Sequence, residues 1–192
     1  MVRCEWCTGS ELYMNYHDLE WGVPVFDDHK HFEFLVLESA QAGLSWITIL
    51  KKRENYRAAY DNFDPRKIAC YGEAKKKKLL LDTGIIRNRL KIEASITNAQ
   101  EFLEIQKEYG SFTKYIWGFT KGIPVFGKWN NIAEIPAKTE LSDKISLDLK
   151  KKGFKFLGSI IMYSHLQATG IVNDHIKDCF RYKEIKKIFQ KK

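Results

Sequence analysis

Apolar residues in this chain recur at helical spacing, in segments bounded by caps and breakers, and nowhere alternate long enough to build a sheet. Asp27 or Asp28 stands ready to cap a helix through FEFLVLESAQ, and Gly43 interrupts the pattern before Leu44, Ile47 and Leu50 resume it. Two helices separated by a kink follow. Asp64-Pro65 opens a short helix, because a proline at the first helical position lacks only an amide that would be unpaired anyway. Further starts are expected at Asn88, Ser111, Ser142 and Asn173, with Gly84, Gly153 and Gly170 closing the preceding helices. The count comes to about eight or nine helices. VPVF and GIPVFGKWN read as short extended pieces. The expected class is all-α. With no repeat or low-complexity linker, the two chain ends are expected to pack as one lobe around a middle segment.

The 192 residues, 44% of them hydrophobic, suffice for one substantial core. No apolar run is long enough to span a bilayer, and MVRCEWC lacks a basic segment followed by an apolar stretch, so a cytoplasmic protein with no membrane partner is expected. Four cysteines are too few for a disulfide scaffold and read as ligands or core residues. The net charge of +8 favours an anionic partner such as nucleic acid.

Soft ligand atoms concentrate at the two ends. In NDHIKDCF, a helix would stack His175 and Cys179 on one face. Cys4 and His17 near the N-terminus would complete two thiolates and two imidazoles, a set that suits tetrahedral zinc. Cys7 competes, since Cys4 and Cys7 form a Cys-x-x-Cys pair, and spacing leaves the choice between them open. The bland alternative is a buried thiol at Cys4 and a helix-start polar residue at His175. Four protein ligands of either choice would close the coordination shell, making the ion structural and leaving no place for a metal-bound water.

LESAQAGLSW places Glu38 within an otherwise apolar helix face, where an ionised acid needs a cationic partner, from this chain or from a ligand. Tyr16 and Trp46 could be simple core. Taken together, the three form a pocket for one purine: Trp46 stacks on its face, while Glu38 and the Tyr16 hydroxyl meet its polar edge. LLLDTGIIRNRLKI reads as helix, tight turn at Gly84, helix, with amides and the charges of Arg87, Arg89 and Lys91 directed at phosphate.

Four long blocks carry a resemblance: YHDLEWGVPVFDD, LESAQAGLSWITILKKRENYRAAYDNFDP, DTGIIRNRLKI and KKGFKFLGSIIMYSHLQATGIVNDHIKDC. Together they resemble the 3-methyladenine DNA glycosylase I family over nearly the whole chain. The resemblance implies a helix-hairpin-helix DNA glycosylase fold with one structural zinc ion joining the N- and C-terminal segments. Its ligands would be Cys4, His17, His175 and Cys179, with Cys7 left out. It implies a single glycosylase unit over 1–192: a central helical part at 28–120, the hairpin near 74–107, and a zinc-bearing lobe from 1–27 and 140–192. Glu38, Tyr16 and Trp46 match base-recognition positions, with Trp6, Tyr13 and Trp21 as neighbouring walls. The implied activity is monofunctional excision of cationic 3-methyladenine from alkylated double-stranded DNA by base flipping, releasing the free base, and the expected state is a monomer. Gly43 and Leu44, at the kink before Trp46, are the candidates to fill the gap left by the flipped base. Two departures stand out. Ile86 occupies the place of a usual second hairpin glycine, and GFTKGIPVFGKWNNIAEIP lacks the aspartate that most relatives of this fold are expected to use. N3-methylation already activates the leaving group, which fits that absence.

Overall fold

The computed structural model describes residues 1–190. It is mostly helical, with α1 at Glu11–Leu19, α2 at Asp28–Gln41, α3 at Trp46–Ala59, α4 at Pro65–Ile68 and α5 at Glu73–Leu81. The chain continues through α6 at Arg89–Tyr109, α7 at Phe112–Gly118, α8 at Glu140–Lys151, α9 at Ser159–Ala168 and α10 at Phe180–Gln190. Ten α-helices among the described residues exceed the expected eight or nine. α1 is the helix missing from the sequence reading: Ser10 caps it, but its buried face carries Tyr16 and His17 rather than an aliphatic stripe.

α2 organises the molecule. Every residue from His31 to Ala40 is buried, as expected of a helix enclosed on all sides, and α3, α6, α7 and α9 pack against it. Asp27 caps it by accepting from the Lys30 amide. The main apolar core joins Phe32, Leu35 and Leu37 of α2 to Phe102, Phe112, Leu149 and Leu166. A second cluster joins the chain ends, bringing Cys4, Tyr16 and Trp21 against Phe34, Leu50, Ala168 and Cys179.

Three expectations at element boundaries need correction. α8 begins at Glu140 because Thr139 caps it, and Ser142 is the third residue of a reciprocal capping box. α5 ends at Leu81, so Gly84 lies in the turn before α6 rather than at the end of a helix. Asn173 does not start a helix: Val125–Phe126 (β1) and Val172–Asn173 (β2) form a two-residue parallel pair, and α10 begins only at Phe180. The Val125 amide donates to Ile171 and the Gly127 amide to Asn173, which holds this segment extended. Among the described residues, no helix is long and apolar enough to cross a membrane.

Candidate functional site

A cavity of about 370 Å³ opens between α1, α2, the start of α3, α9 and the loop at 132–137. That volume suits one small heterocyclic ligand. Trp6, Tyr13, Tyr16, Trp21, Glu38 and Trp46 all line it, so residues separated by up to forty positions in sequence meet as expected. The aromatic walls brace one another. Trp6 meets Tyr13 edge-on at 4.9 Å and Trp21 at 5.0 Å, and Tyr16 lies 5.6 Å from Trp46. Trp46 is the first residue of α3 and is backed by the stacked ring of Phe34.

Glu38 lies on the buried stretch of α2 and is 2% exposed. Its Oε2 has no hydrogen-bond partner, and burial alone pushes the carboxyl up to about 8. No described residue forms an ion pair with Glu38. The cations near this region are committed elsewhere: Arg53 donates from Nε to Glu33 at 2.7 Å, and from Nη1 and Nη2 to Glu20 at 2.8 Å each. Burial opposes ionisation of Glu33, but Arg53 still holds its carboxyl below the usual range. Glu33 and Glu38, on the same helix, therefore differ sharply. Burial, then the neighbouring Glu38, raises Tyr16 well above the usual phenol range and keeps its hydroxyl protonated. Trp46 Nε1 is also buried without an acceptor. The cavity thus presents two unmatched polar groups, Glu38 Oε2 and Trp46 Nε1, inside an aromatic box.

Beside this cavity lies a second, closed cluster. Cys4, His17, His175 and Cys179 are all buried, and their ligating atoms lie within 4.8 Å of one another. His175 Nδ1 is 3.2 Å from His17 Nε2, 3.5 Å from Cys179 Sγ and 3.7 Å from Cys4 Sγ, while Cys179 Sγ is 3.5 Å from His17 Nε2. A zinc tetrahedron, with bonds of about 2.3 Å to sulfur and about 2.0 Å to nitrogen, has edges of roughly 3.3 to 3.8 Å. The donor set fits. The imidazoles are oriented for it: His17 Nδ1 donates to Asp18 at 2.8 Å and His175 Nε2 to the Trp21 carbonyl at 3.0 Å, leaving the inward nitrogens free to ligate. Arg3 grips the same Asp18 at 2.8 to 3.0 Å. Gly22, with φ of +77°, lets the backbone pass His175, since a Cβ there would come within 2.9 Å of Nε2. His175 and Cys179 meet through a turn ahead of α10, closed by the Cys179 amide on Ile176, rather than through the helix expected from their spacing. Cys7 stays outside: its thiol donates to the Cys4 carbonyl at 3.0 Å.

Between α5 and α6 the chain turns through residues 82–88. The Gly84 amide donates to Asp82 at 2.7 Å, and a Cβ on Gly84 would meet the side chain of Asn55 at 2.9 Å. Ile86, where a second glycine is usual, packs against the core and donates its amide to the Tyr56 hydroxyl at 3.1 Å. That amide is therefore occupied. Arg87 and Arg89 are exposed, the latter 3.9 Å from Glu93. Lys91 behaves differently from the expected phosphate contact. Its ammonium donates to the carbonyls of Ala40 at 2.9 Å and Ala42 at 2.7 Å, closing the C-terminus of α2. Gly43, with φ of +81°, and the exposed Leu44 form the turn that follows.

Sequence reasoning missed one side of the cavity. Gln41 at the end of α2, Ile132, Ile135 and Pro136 of the preceding loop, and Tyr163, Ser164 and Gln167 of α9 all line it. Tyr, Ser and Gln at a three-to-four spacing were the available signal, obscured because most of α9 is apolar.

The methyladenine glycosylase family model matches residues 6–182. The Escherichia coli (strain K12) DNA-3-methyladenine glycosylase 1 is 48% identical over 182 residues, covering 95% of this chain and 97% of that protein. A crystal structure of 3-methyladenine DNA glycosylase I superposes with a TM-score of 0.90 at 50% identity, covering 93% of this chain and 98% of that one. A variant of 3-methyladenine DNA glycosylase I in complex with 3-methyladenine gives a TM-score of 0.90 at 38% identity, covering 94% and 97%. On a match spanning almost its full length, the chain belongs to the methyladenine glycosylase family.

Proposed function

We propose that this protein is a DNA-3-methyladenine glycosylase of base-excision repair, hydrolysing the N-glycosidic bond of N3-methylated adenine in alkylated double-stranded DNA. The observation that carries the reading is Glu38, a buried carboxyl without a partner inside an aromatic cavity of purine size. N3-methylation makes adenine cationic. Such a base supplies the missing partner, and its arrival ionises a carboxyl that burial otherwise holds up at about 8. Neutral adenine brings no charge to ionise the buried carboxyl and so misses this attraction, which gives discrimination.

The chemistry follows from the substrate's charge. As the glycosidic bond breaks, its electron pair moves onto the cationic ring, which leaves neutral. The sugar passes through an oxocarbenium-like state, and water adds at its anomeric carbon and loses a proton, leaving an abasic site. No protonation of the leaving base is required. The roles of the chain are to extrude the nucleotide, stack it on Trp46 among Trp6, Tyr13 and Trp21, and bond its edge through Tyr16 and Glu38.

In the same reading, Cys4, His17, His175 and Cys179 hold one zinc ion, which when bound supplies a structural cross-link between the chain ends. Residues 1–192 act as one unit, with a central part at 28–120 and a zinc-bearing lobe from 1–27 and 140–192. The exposed cations Arg87 and Arg89, at the start of α6, hold the DNA backbone, while Leu44 next to Gly43 occupies the vacated stack. Incubation with methylated duplex DNA and mass spectrometry of the released material tests the function. Free 3-methyladenine and an unbroken abasic strand are expected. Tight DNA binding with no base released would contradict it.

A further inference from the structure

Behind the α9 wall of the cavity lies a carboxylate to which neither the metal cluster nor the base pocket assigns a role. Asp174, just after β2, is 1% exposed, and three neutral donors converge on it. Trp129 Nε1 donates to Oδ1 at 2.6 Å, Gln167 Nε2 donates to Oδ2 at 2.8 Å, and the Tyr163 hydroxyl also donates to Oδ2. Burial, then Asp174, raises the Tyr163 phenol, so that proton stays on the tyrosine. The packing admits little else, since a Cβ on Gly127 would lie 2.3 Å from Asp174 Oδ1 and 2.2 Å from Trp129 Nε1.

Two of the three donors, Tyr163 and Gln167, also line the cavity. Each Asp174 oxygen accepts from a nitrogen that can only donate, Trp129 Nε1 on Oδ1 and Gln167 Nε2 on Oδ2, so the side chain sets the polarity of what surrounds it. A tyrosine hydroxyl has one hydrogen, and once that is directed at Asp174 only lone pairs remain to face other groups. A glutamine amide whose nitrogen is held at Asp174 has its carbonyl oxygen turned away from that carboxyl, with one N–H already spent.

We infer that Asp174 is a positioning residue: it turns Tyr163 and Gln167 so that their oxygen atoms, not their hydrogens, face the cavity, making the α9 wall an acceptor surface for a cationic base. The inference rests on the proposed substrate and extends it, because it adds a second electronegative wall to Glu38. The device is separate from the metal cluster, since none of the three donors to Asp174 is a ligand.

Asp174→Asn tests it. An asparagine amide nitrogen placed at Oδ2 would meet two donors, and the simplest relief is rotation of the Gln167 amide, which swings N–H groups toward the cationic base. Single-turnover excision of methylated adenine should fall on the order of tenfold, the scale of losing preorganised polar groups. Metal content should stay at the wild-type level. In a Tyr163→Phe, Gln167→Leu background the further effect of Asp174→Asn should shrink to within about twofold, as residues acting through one another are non-additive. An undiminished effect in that background would overturn the inference, and so would an Asp174→Asn rate within about twofold of wild type. If Asp174→Asn does not fold, Tyr163→Phe and Gln167→Leu, which keep Asp174, each carry the test. Both must lose excision several-fold, and retention of the wild-type rate by both sinks the idea. Wild-type protein is the control: failure to release any base counts against the proposed function, whereas normal wild-type release with unaffected variants counts against the role of Asp174 alone.

Discussion

Tyr16 and His17 are neighbours on α1, yet they face two sites built on opposite rules. His17 enters a cluster in which each imidazole has one nitrogen engaged outside and one directed inward, and four donors surround a point of zinc size. Tyr16 enters a cavity where Glu38 Oε2 and Trp46 Nε1 are buried with nothing to bond. The first arrangement is closed and satisfied. The second is open and unsatisfied, and an unsatisfied buried group is destabilising unless a ligand completes it. On the proposed reading, the contrast separates what holds the molecule together from what it acts with.

The closed side should dominate stability. Cys179→Ala is expected to lose the zinc proposed for the cluster and to cost on the order of 4 kcal/mol, roughly 10 °C in melting temperature, with the chain ends undocked. Cys7→Ala should retain the metal, as its thiol only donates to a carbonyl. Equal metal loss in both variants, read by elemental analysis, would erase the distinction between ligand and bystander.

A third buried polar group sharpens the comparison. His31 and His165 lie against each other with tilted rings, Nδ1 to Nε2 at 3.2 Å, with His31 Nε2 donating to the Val25 carbonyl at 3.1 Å. Burial pushes His31 down to about 4 and His165 well below its usual value. Both are neutral in the fold, while the unfolded chain takes up protons below about 6.5, so their contribution is present above that pH and is lost as pH falls toward 4. His31 alone should cost about 2 kcal/mol at pH 5, measurable in denaturant melts across pH. Glu38 works in the opposite direction. With its folded value raised to about 8, stability is lost as pH rises from the usual carboxylate range through 8, and Glu38→Gln should remove that loss.

The surface offers the smallest version of the same contrast. Arg87 is exposed, whereas Lys91 is committed to the end of α2. Arg87→Ala should lower the slope of log affinity against log salt by about one without changing sequence preference. Lys91→Ala should instead loosen the α2 terminus beside Gly43 and lower the melting temperature by a few degrees. Identical salt slopes for Arg87→Ala and wild type would remove Arg87 from the DNA contact.

The helices and one wall of the cavity were legible in the chain because caps, prolines and an acid among apolar residues are local signals. Asp27, Asp64, Asn88 and Ser111 cap where their sequence position suggests. The opposite wall was not legible, since α9 reads as a mostly apolar buried helix and gives no sign of which side meets a cavity. The turn holding His175 and Cys179 was mistaken for a helix because a spacing of four brings side chains together in either conformation. Lys91 looked like a phosphate contact because a sequence shows a charge but not the carbonyls that consume it in the fold.

Single-turnover excision by Glu38→Gln on methylated duplex DNA, with metal content and circular dichroism matched to wild type, tests the open site most directly. The substitution keeps shape and hydrogen-bonding capacity and removes only the charge that a cationic base evokes. A loss of about 30-fold to 1,000-fold is expected, on the order of 2 to 4 kcal/mol. A Glu38→Gln rate within about twofold of wild type would mean that Glu38 is one more structural acid, and that the cavity stabilises the cation by stacking on Trp46 alone.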